Sequence, residues 1–134
     1  MHTDALNSST KPIILLGEDD PDQSDMLREI LELEGYGVET AFSGDVALRK
    51  LSQRRYDLAI LDIHMPGLDG VAVLKWSREH PEAKKVAVIM VSAFANQQEM
   101  QRYRAEGAAA CFAKPYAMDD LLAVIAEVVK AKAV

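Results

Sequence analysis

The chain has 134 residues, a length typical of one domain with one hydrophobic core. Apolar residues make up 49% and charged residues 27% of it, which favours a soluble globular protein over a disordered or membrane-embedded one. The formal charge of −6 and the pI near 5.0 disfavour direct binding to nucleic acid or to an anionic membrane surface.

The beginning of the chain and its single cysteine indicate a compartment. Residues 1–11 lack the basic start and apolar centre of a secretory signal and are interpreted as a flexible lead-in. Cys111, the single cysteine, allows neither an internal disulfide nor a cysteine zinc site. Apolar runs such as "VAVIMV" at 86–91 are far shorter than the ~20 residues that cross a bilayer. We therefore expect a cytoplasmic protein without a membrane span.

Short apolar runs alternate with segments of helical periodicity, which predicts five βα units around a parallel sheet. In chain order, the predicted strands cover residues 13–17, 37–41, 57–62, 86–92 and 110–114. The first, third and fourth are apolar nearly throughout, so helices are expected on both of their faces. The second strand is half polar and is expected at an edge of the sheet.

Capping signals predict where the helices begin and end. Asp20 before Pro21 begins the first helix, and Ser43 caps the second. The third begins near Val71 and is stopped by Pro81. The last two are predicted from "NQQEMQRYRAEG" and "MDDLLAVIAEVVKAK". The first of these two has few apolar residues and is expected to be weakly held.

The predicted fold class is α/β, a doubly wound five-stranded parallel sheet of flavodoxin-like topology with helices on both faces. Right-handed crossovers give the strand order 2-1-3-4-5. One domain is predicted over residues 12–132, and no second, output domain is expected.

Acidic residues follow two strands that this order makes neighbours. Glu18 and Asp19 come after the first strand and Asp62 ends the third, so they are expected to meet in the crevice at the carboxyl ends of the strands. Clustered carboxylates raise one another's pKa and are costly without a cation. Because all the ligands are oxygens, the sequence predicts a Mg²⁺ site.

Two further polar residues are expected to reach the same crevice. Ser92 ends the fourth strand and Lys114 ends the fifth. A lysine can neutralise a phosphoryl oxygen, and a serine can donate a hydrogen bond to one. Asp62 is the candidate nucleophile, because a carboxylate that attacks phosphorus forms an acyl phosphate. Each residue alone also fits an ordinary cap, turn or strand end, so the prediction depends on their convergence.

With these residues, the chain resembles the receiver domain of bacterial two-component response regulators. The resemblance covers about residues 12–132 and depends on "ILLGEDDP", "LAILDIHMPGLDG", "VIMVSA" and "AKPY". It implies a stand-alone receiver domain in which Asp62 accepts a phosphoryl group from a sensor histidine kinase or a histidine phosphotransfer protein. The domain would catalyse its own phosphorylation and dephosphorylation.

The resemblance also implies a ligand set for Mg²⁺. Asp19 and Asp62 would bind the ion directly, and the backbone carbonyl of His64 would supply a third ligand. Glu18 would act through a water molecule. Asp20, besides capping its helix, would lie next to the bound ion without binding it.

Further residues of the family pattern concern the phosphoryl group. Lys114 would pair with the phosphate, and the peptide before Pro115 is expected to be cis. Ser92 would move toward the phosphoryl group and carry its loop along. Ala93 is small and would leave a path for the incoming phosphohistidine.

Two positions draw attention. Family members carry an aromatic residue or histidine three positions before the lysine, where this chain has Cys111. Its neighbour Phe112 points to the opposite face of the strand and cannot substitute, so Cys111 is interpreted as a small buried residue at an atypical switch position.

The second position is His64, two residues after Asp62. Phe94 is expected to lie opposite His64, and both residues are candidates for tuning the lifetime of the acyl phosphate.

The expected output is an interaction surface. Phosphorylation adds about two negative charges, and the fourth helix, fifth strand and fifth helix would form the face that binds a downstream protein. The domain is expected to be a monomer, or a weak dimer when phosphorylated.

Three other functions are compatible with parts of the pattern. A phosphatase of the haloacid dehalogenase type also uses an aspartyl nucleophile, but places a second aspartate where this chain has His64. A flavodoxin-like flavin carrier needs hydroxyls and glycine after the first strand, where this chain is acidic. A receiver-like scaffold that is never phosphorylated is the third alternative.

Overall fold

The structure is a computed structural model that describes residues 11–80, 86–94 and 96–133. Strands and helices alternate along these residues. The strands are β1 (Ile13–Gly17), β2 (Gly37–Ala41), β3 (Leu58–Asp62), β4 (Ala87–Ser92) and β5 (Ala110–Ala113). The helices are α1 (Pro21–Leu33), α2 (Gly44–Gln53), α3 (Gly70–Glu79), α4 (Gln97–Ala105) and α5 (Met118–Ala133). Pro81 and residues 1–10 of the predicted lead-in lie outside the described residues.

The five strands form one parallel sheet in the order β2-β1-β3-β4-β5. This confirms the predicted doubly wound, flavodoxin-like topology and the edge position of β2. Most of β2 is only half-buried, whereas every residue of β3 is buried. The central strands β1 and β3 are neighbours, with Gly17 paired to Leu61. Their carboxyl ends therefore open into the same crevice.

Three strands are one residue shorter than predicted. Asp57 precedes β3 but is tied to Ile13 twice: its backbone N donates to the Ile13 carbonyl, and its Oδ2 accepts from the Ile13 backbone N, both at 2.9 Å. Val86 is buried but precedes β4, and Lys114 follows β5. The backbone N of Lys114 still donates to the carbonyl of Ser92 at 2.8 Å, which ties the two strand ends together.

The helix caps agree with the sequence signals. The Asp20 side chain accepts from two backbone amides of α1, and the Ser43 hydroxyl accepts from Val46 N in α2. Helix α4 begins with a capping box formed by Asn96 and Glu99. Each of these caps satisfies amides that the first turn of a helix leaves unpaired.

Alternating side chains of the sheet form two apolar layers, one on each face. The layer under α2, α3 and α4 includes Leu15, Ala59, Leu61, Val88, Met90 and Cys111 from the strands. The layer under α1 and α5 includes Ile14, Leu16, Leu58, Ile60, Ile89 and Val91. Each fully buried Leu, Ile, Val or Met contributes about 1.5–3 kcal/mol from the removal of apolar surface from water. The sheet is thus a rigid platform for the residues at its edge.

The loop after Asp62 is packed against the beginning of α2. Gly44 N donates to the carbonyl of Pro66 at 3.2 Å. A Cβ atom at Gly44 would lie 1.7 Å from the carbonyl oxygen of Leu68, so only glycine allows this approach. Gly67 has a φ of 74°, which also favours glycine. The two glycines fix the course of the loop that leaves Asp62.

Candidate functional site

Three carboxylates meet at the carboxyl edge of the sheet, as predicted. Glu18 and Asp19 follow β1, and Asp62 ends β3. One ligand oxygen from each lies within 4.8 Å of the other two. Glu18 and Asp62 are each 7% exposed, whereas Asp19 is open to solvent. The cluster is therefore partly buried and accessible from one side.

The ammonium group of Lys114 bridges the two buried carboxylates. Its Nζ donates to Asp62 Oδ2 at 2.7 Å and to Glu18 Oε1 at 2.9 Å. These charge-assisted hydrogen bonds join residues that follow β1, end β3 and follow β5. One ammonium group among three carboxylates leaves the crevice with an excess of negative charge.

Burial and neighbouring charges shift the pKa values of Glu18 and Lys114 for different reasons. Burial raises the pKa of Glu18 above its ordinary value, although its hydrogen bonds to Lys114 and to Asp20 N oppose this. Burial by itself would lower the pKa of Lys114, but the hydrogen bonds to Asp62 and Glu18 outweigh it and raise the pKa. Lys114 is therefore charged at neutral pH.

Asp62 is held at both carboxylate oxygens. Oδ2 accepts from Lys114, and Oδ1 accepts from the backbone N of His64 at 2.9 Å. The loop that leaves β3 thus folds back onto the carboxylate at its own start. Asp62 has one orientation at the end of the central strand.

The donor set at this edge fits Mg²⁺. Hard oxygen ligands with an excess of negative charge are what this ion prefers, and the cluster contains no nitrogen or sulfur ligand. The oxygens of Glu18, Asp19 and Asp62 are close enough to surround one ion. The individual ligand roles, including that of the His64 carbonyl, stay predictions.

Ser92 lies at the predicted strand end, and its hydroxyl is bonded within its own loop. It is 2% exposed, and its Oγ accepts from the backbone N of Phe94 at 3.2 Å. In the described part of the chain, no hydrogen bond joins this hydroxyl to Lys114 or Asp62. Ala93 is exposed between Ser92 and Phe94, and its role in the approach of the phosphohistidine stays a prediction.

His64 and Phe94 contact one another beside the crevice. Their rings are T-shaped, with centroids 5.4 Å apart. His64 is exposed, and Phe94 is 78% exposed, an unusual exposure for a phenylalanine. The structure thus brings together the two residues that were expected to face one another, and their role in the lifetime of the acyl phosphate stays a prediction.

Cys111 and Phe112 point to opposite faces of β5, as strand geometry requires. Cys111 is buried against α4, with its Sγ 3.6 Å from the carbonyl oxygen of Met100. Phe112 packs with the other layer, its ring centroid 5.8 Å from that of Tyr116. Burial raises the pKa of the Cys111 thiol, with Arg104 opposing. A raised thiol pKa fits a packing residue and not a reactive one.

Sequence reasoning missed Gln23. Its Oε1 accepts from Lys114 Nζ at 2.9 Å, and its Nε2 donates to Asp20 Oδ2 at 3.1 Å. The spacing of three residues after the Asp20 cap was the one available signal. The Lys114–Pro115 peptide is cis, as the resemblance implied.

Comparison with known proteins identifies the family. The family model described as the response regulator receiver domain matches the sequence over residues 14–126, most of the chain. The chain belongs to the response regulator receiver domain family. Receiver domains of this family are parts of two-component signalling systems, and this one has the acidic cluster and the lysine at the expected edge of its sheet.

The relatives of this receiver domain differ in how much of their own length the similarity covers. The phosphate regulon transcriptional regulatory protein PhoB of Rhizobium meliloti is 37% identical over 112 residues, which are 84% of this chain and 49% of PhoB. The polar-differentiation response regulator DivK of Brucella anthropi is 30% identical over 112 residues, 84% of this chain and 91% of DivK. The chain spans about half the length, or less, of several curated relatives that it matches.

A solved structure of the response regulator TrrA from Thermotoga maritima, in complex with Mg²⁺-BeF, superimposes with a TM-score of 0.77. It is 31% identical and covers 87% of this chain and 98% of TrrA. The comparisons lend no support to a phosphatase of the haloacid dehalogenase type. In the described ranges of this receiver domain, no helix is both long enough and apolar enough to cross a membrane.

Proposed function

We propose that this receiver domain accepts a phosphoryl group on Asp62 from the phosphohistidine of a sensor histidine kinase or a histidine phosphotransfer protein. The observation that carries the proposal is the position of Asp62. Its carboxylate lies at the end of the central strand, bonded to the Lys114 ammonium at 2.7 Å and flanked by Glu18 and Asp19.

The proposed transfer is a displacement at phosphorus. A carboxylate oxygen of Asp62 attacks the phosphorus atom, and the bond from phosphorus to the donor imidazole nitrogen breaks. The electron pair of that bond remains on the nitrogen, and the product on Asp62 is an acyl phosphate. Lys114 donates to one of the phosphoryl oxygens and offsets the charge that they carry during transfer. In a separate step that ends activation, a water oxygen attacks phosphorus, the bond from phosphorus to the Asp62 oxygen breaks, and inorganic phosphate and the free carboxylate are released.

Mg²⁺ is the proposed cofactor. When bound, it neutralises part of the negative charge shared by the carboxylates and the phosphoryl oxygens. Asp19, Asp62 and the His64 carbonyl would hold it directly, and Glu18 through a water molecule. The oxygen-only cluster supports this assignment. Asp20 would contribute by keeping α1 in place beside it.

The proposed switch starts at Ser92. Its hydroxyl would exchange its bond with Phe94 N for a phosphoryl oxygen, moving the loop that includes Ala93. Because that loop leads into α4, the face made of α4, β5 and α5 would change and bind a downstream protein. Cys111 would not signal by ring rotation as an aromatic residue does in other members.

His64 and Phe94 are proposed to tune the lifetime of the acyl phosphate. Their contact stands beside the acceptor, and it would restrict the approach of a hydrolytic water. Replacing both with alanine is therefore expected to speed the loss of the phosphoryl group.

We also propose that the protein is cytoplasmic and that it is a monomer, or a weak dimer when phosphorylated.

Phosphotransfer from a labelled phosphohistidine protein tests the proposed function. Wild-type protein with Mg²⁺ is expected to take up label as a hydroxylamine-sensitive acyl phosphate, and chelation of the metal is expected to prevent it. Asp62→Asn is the control and is expected to take up none. If no histidine kinase or phosphotransfer protein of the source organism labels Asp62, the domain is a receiver-like scaffold instead.

A further inference from the structure

Lys114 has a third hydrogen-bond partner that the proposed function does not use. Its Nζ donates to Gln23 Oε1 at 2.9 Å, in addition to Glu18 Oε1 and Asp62 Oδ2. An ammonium group has three donors, so these three oxygens use all of them. The position of the charge beside Asp62 is thus set by side chains from two separate parts of the sequence, the β1–α1 segment and the end of β3.

The Gln23 amide is held in turn by the cap of α1. Its Nε2 donates to Asp20 Oδ2 at 3.1 Å, while Asp20 Oδ1 accepts from the backbone N of Asp22 at 2.9 Å. An ionised carboxylate can only accept, so this contact determines which end of the amide faces Asp20 and leaves Oε1 for Lys114.

Gln23 differs from the other two partners of Lys114 because it is uncharged. Phosphorylation converts the Asp62 carboxylate into an acyl phosphate and removes that acceptor's charge, and Glu18 belongs to the proposed metal cluster. A neutral amide neither repels a phosphoryl group nor competes strongly for a cation. Its bond to Lys114 is therefore compatible with the free and the phosphorylated domain.

We propose that Gln23 is a positioning residue that holds the Lys114 ammonium at the phosphoryl site before and after transfer. This inference rests on the function proposed for Asp62 and Lys114. Gln23 acts through the lysine and need not touch the phosphoryl group. Asp20 and Gln23 together connect the first turn of α1 to the residue that follows β5.

Gln23→Met tests the proposal with little change of shape or helix propensity. Two quantities are measured: the NMR signal of the Lys114 ammonium in the unphosphorylated protein, and the rate of phosphorylation by acetyl phosphate with Mg²⁺. Gln23→Met is expected to shift or broaden the ammonium signal and to slow phosphorylation about fivefold, the factor that one hydrogen bond supplies. The backbone amide signals of Leu27 and Leu31 in α1 are expected to keep their positions in Gln23→Met, because the helix itself is not altered. Gln53→Met, at an exposed position of α2, is the matched control.

Unchanged ammonium signal and rate in Gln23→Met would overturn the proposal, as would equal changes in Gln53→Met. Shifted Leu27 and Leu31 amide signals in Gln23→Met would also overturn it, because the substitution would then disturb α1 as a whole. If the wild type takes up no phosphoryl group, the function proposed for Asp62 fails. The ammonium signal in Gln23→Met still decides whether Gln23 positions Lys114.

Discussion

At the scale of single residues, the crevice is a compromise between burial and charge. Asp62 and Glu18 are almost inaccessible, yet each keeps hydrogen bonds to both carboxylate oxygens. Lys114 offsets only part of the charge, and a buried carboxylate near others favours its protonated form. The buried Glu18 carboxylate therefore reduces the stability of the fold when it is ionised.

The raised pKa of Glu18 predicts a pH trend in stability. Because the folded state favours the protonated carboxyl, the ionised form weakens the fold as pH rises above the ordinary carboxyl range, about 4. The melting temperature of Glu18→Gln relative to wild type is expected to rise by a few degrees from pH 4 to pH 8. Glu29→Gln, at an exposed position of α1, is the control. A difference that stays flat or falls over this range would show that burial does not raise this pKa.

At the scale of elements, the two faces of the sheet hold their helices unequally. Tyr103 is the single buried side chain of α4, whereas α5 buries Leu121 and Ile125 and half-buries several more. Local stability follows the apolar area that an element buries. The proposal that movement of the Ser92 loop is passed on to α4 depends on this difference.

Hydrogen exchange measures the difference directly. Amides in the middle of α4 are expected to exchange about tenfold or more faster than those in the middle of α5, because opening α4 exposes less apolar surface. The measurement is native-state exchange of the unphosphorylated domain, residue by residue. Equal protection of the two helices would remove the physical reason for assigning the switch to α4.

The contact between α2 and the loop after β3 gives a second prediction. Gly44→Ala would place a Cβ 1.7 Å from the carbonyl oxygen of Leu68, so the loop must shift. We expect a loss of about 1–3 kcal/mol in unfolding free energy, typical of overpacking, and slower phosphorylation of Asp62. Urea unfolding and uptake of phosphoryl groups measure the two effects. Ala47→Gly in the same helix is a stability control. If Gly44→Ala takes up phosphoryl groups as fast as wild type, the loop does not position the acceptor.

The sequence predicted most of the elements because the strands are apolar and the caps are local. The carboxylate cluster was also predictable, since strand order determines which strand ends are neighbours. Gln23 was not, because its contact with Lys114 spans 91 residues and depends on how α1 sits on the sheet. The bond of Ser92 to its own loop was equally invisible, since rotation of a hydroxyl side chain leaves no pattern in the sequence.

At the scale of the whole molecule, the described residues form a sheet with an apolar layer on each face and charged groups at its carboxyl edge. The negative charge of the chain, −6, disfavours anionic partners but is compatible with a bound cation at that edge. Ligands that bind only the folded state stabilise it by mass action. The receiver domain should therefore melt at a temperature that depends on divalent cations.

Addition of Mg²⁺ is expected to raise the melting temperature of the wild type. A concentration one hundred times the dissociation constant would stabilise the fold by about 2.7 kcal/mol. Asp19→Asn removes a proposed ligand at an exposed position, so this variant should lose most of the effect without losing its fold. Thermal unfolding with matched ionic strength in sodium chloride separates binding from screening. An equal rise in both proteins would locate the ion elsewhere.

The central claim is that Asp62 is the phosphoryl acceptor, and intact mass tests it most directly. After incubation with Mg²⁺ and acetyl phosphate, the wild-type chain is expected to gain the mass of one phosphoryl group, and Asp62→Asn to gain none. Unchanged mass in the wild type, or an equal gain in Asp62→Asn, would contradict the claim.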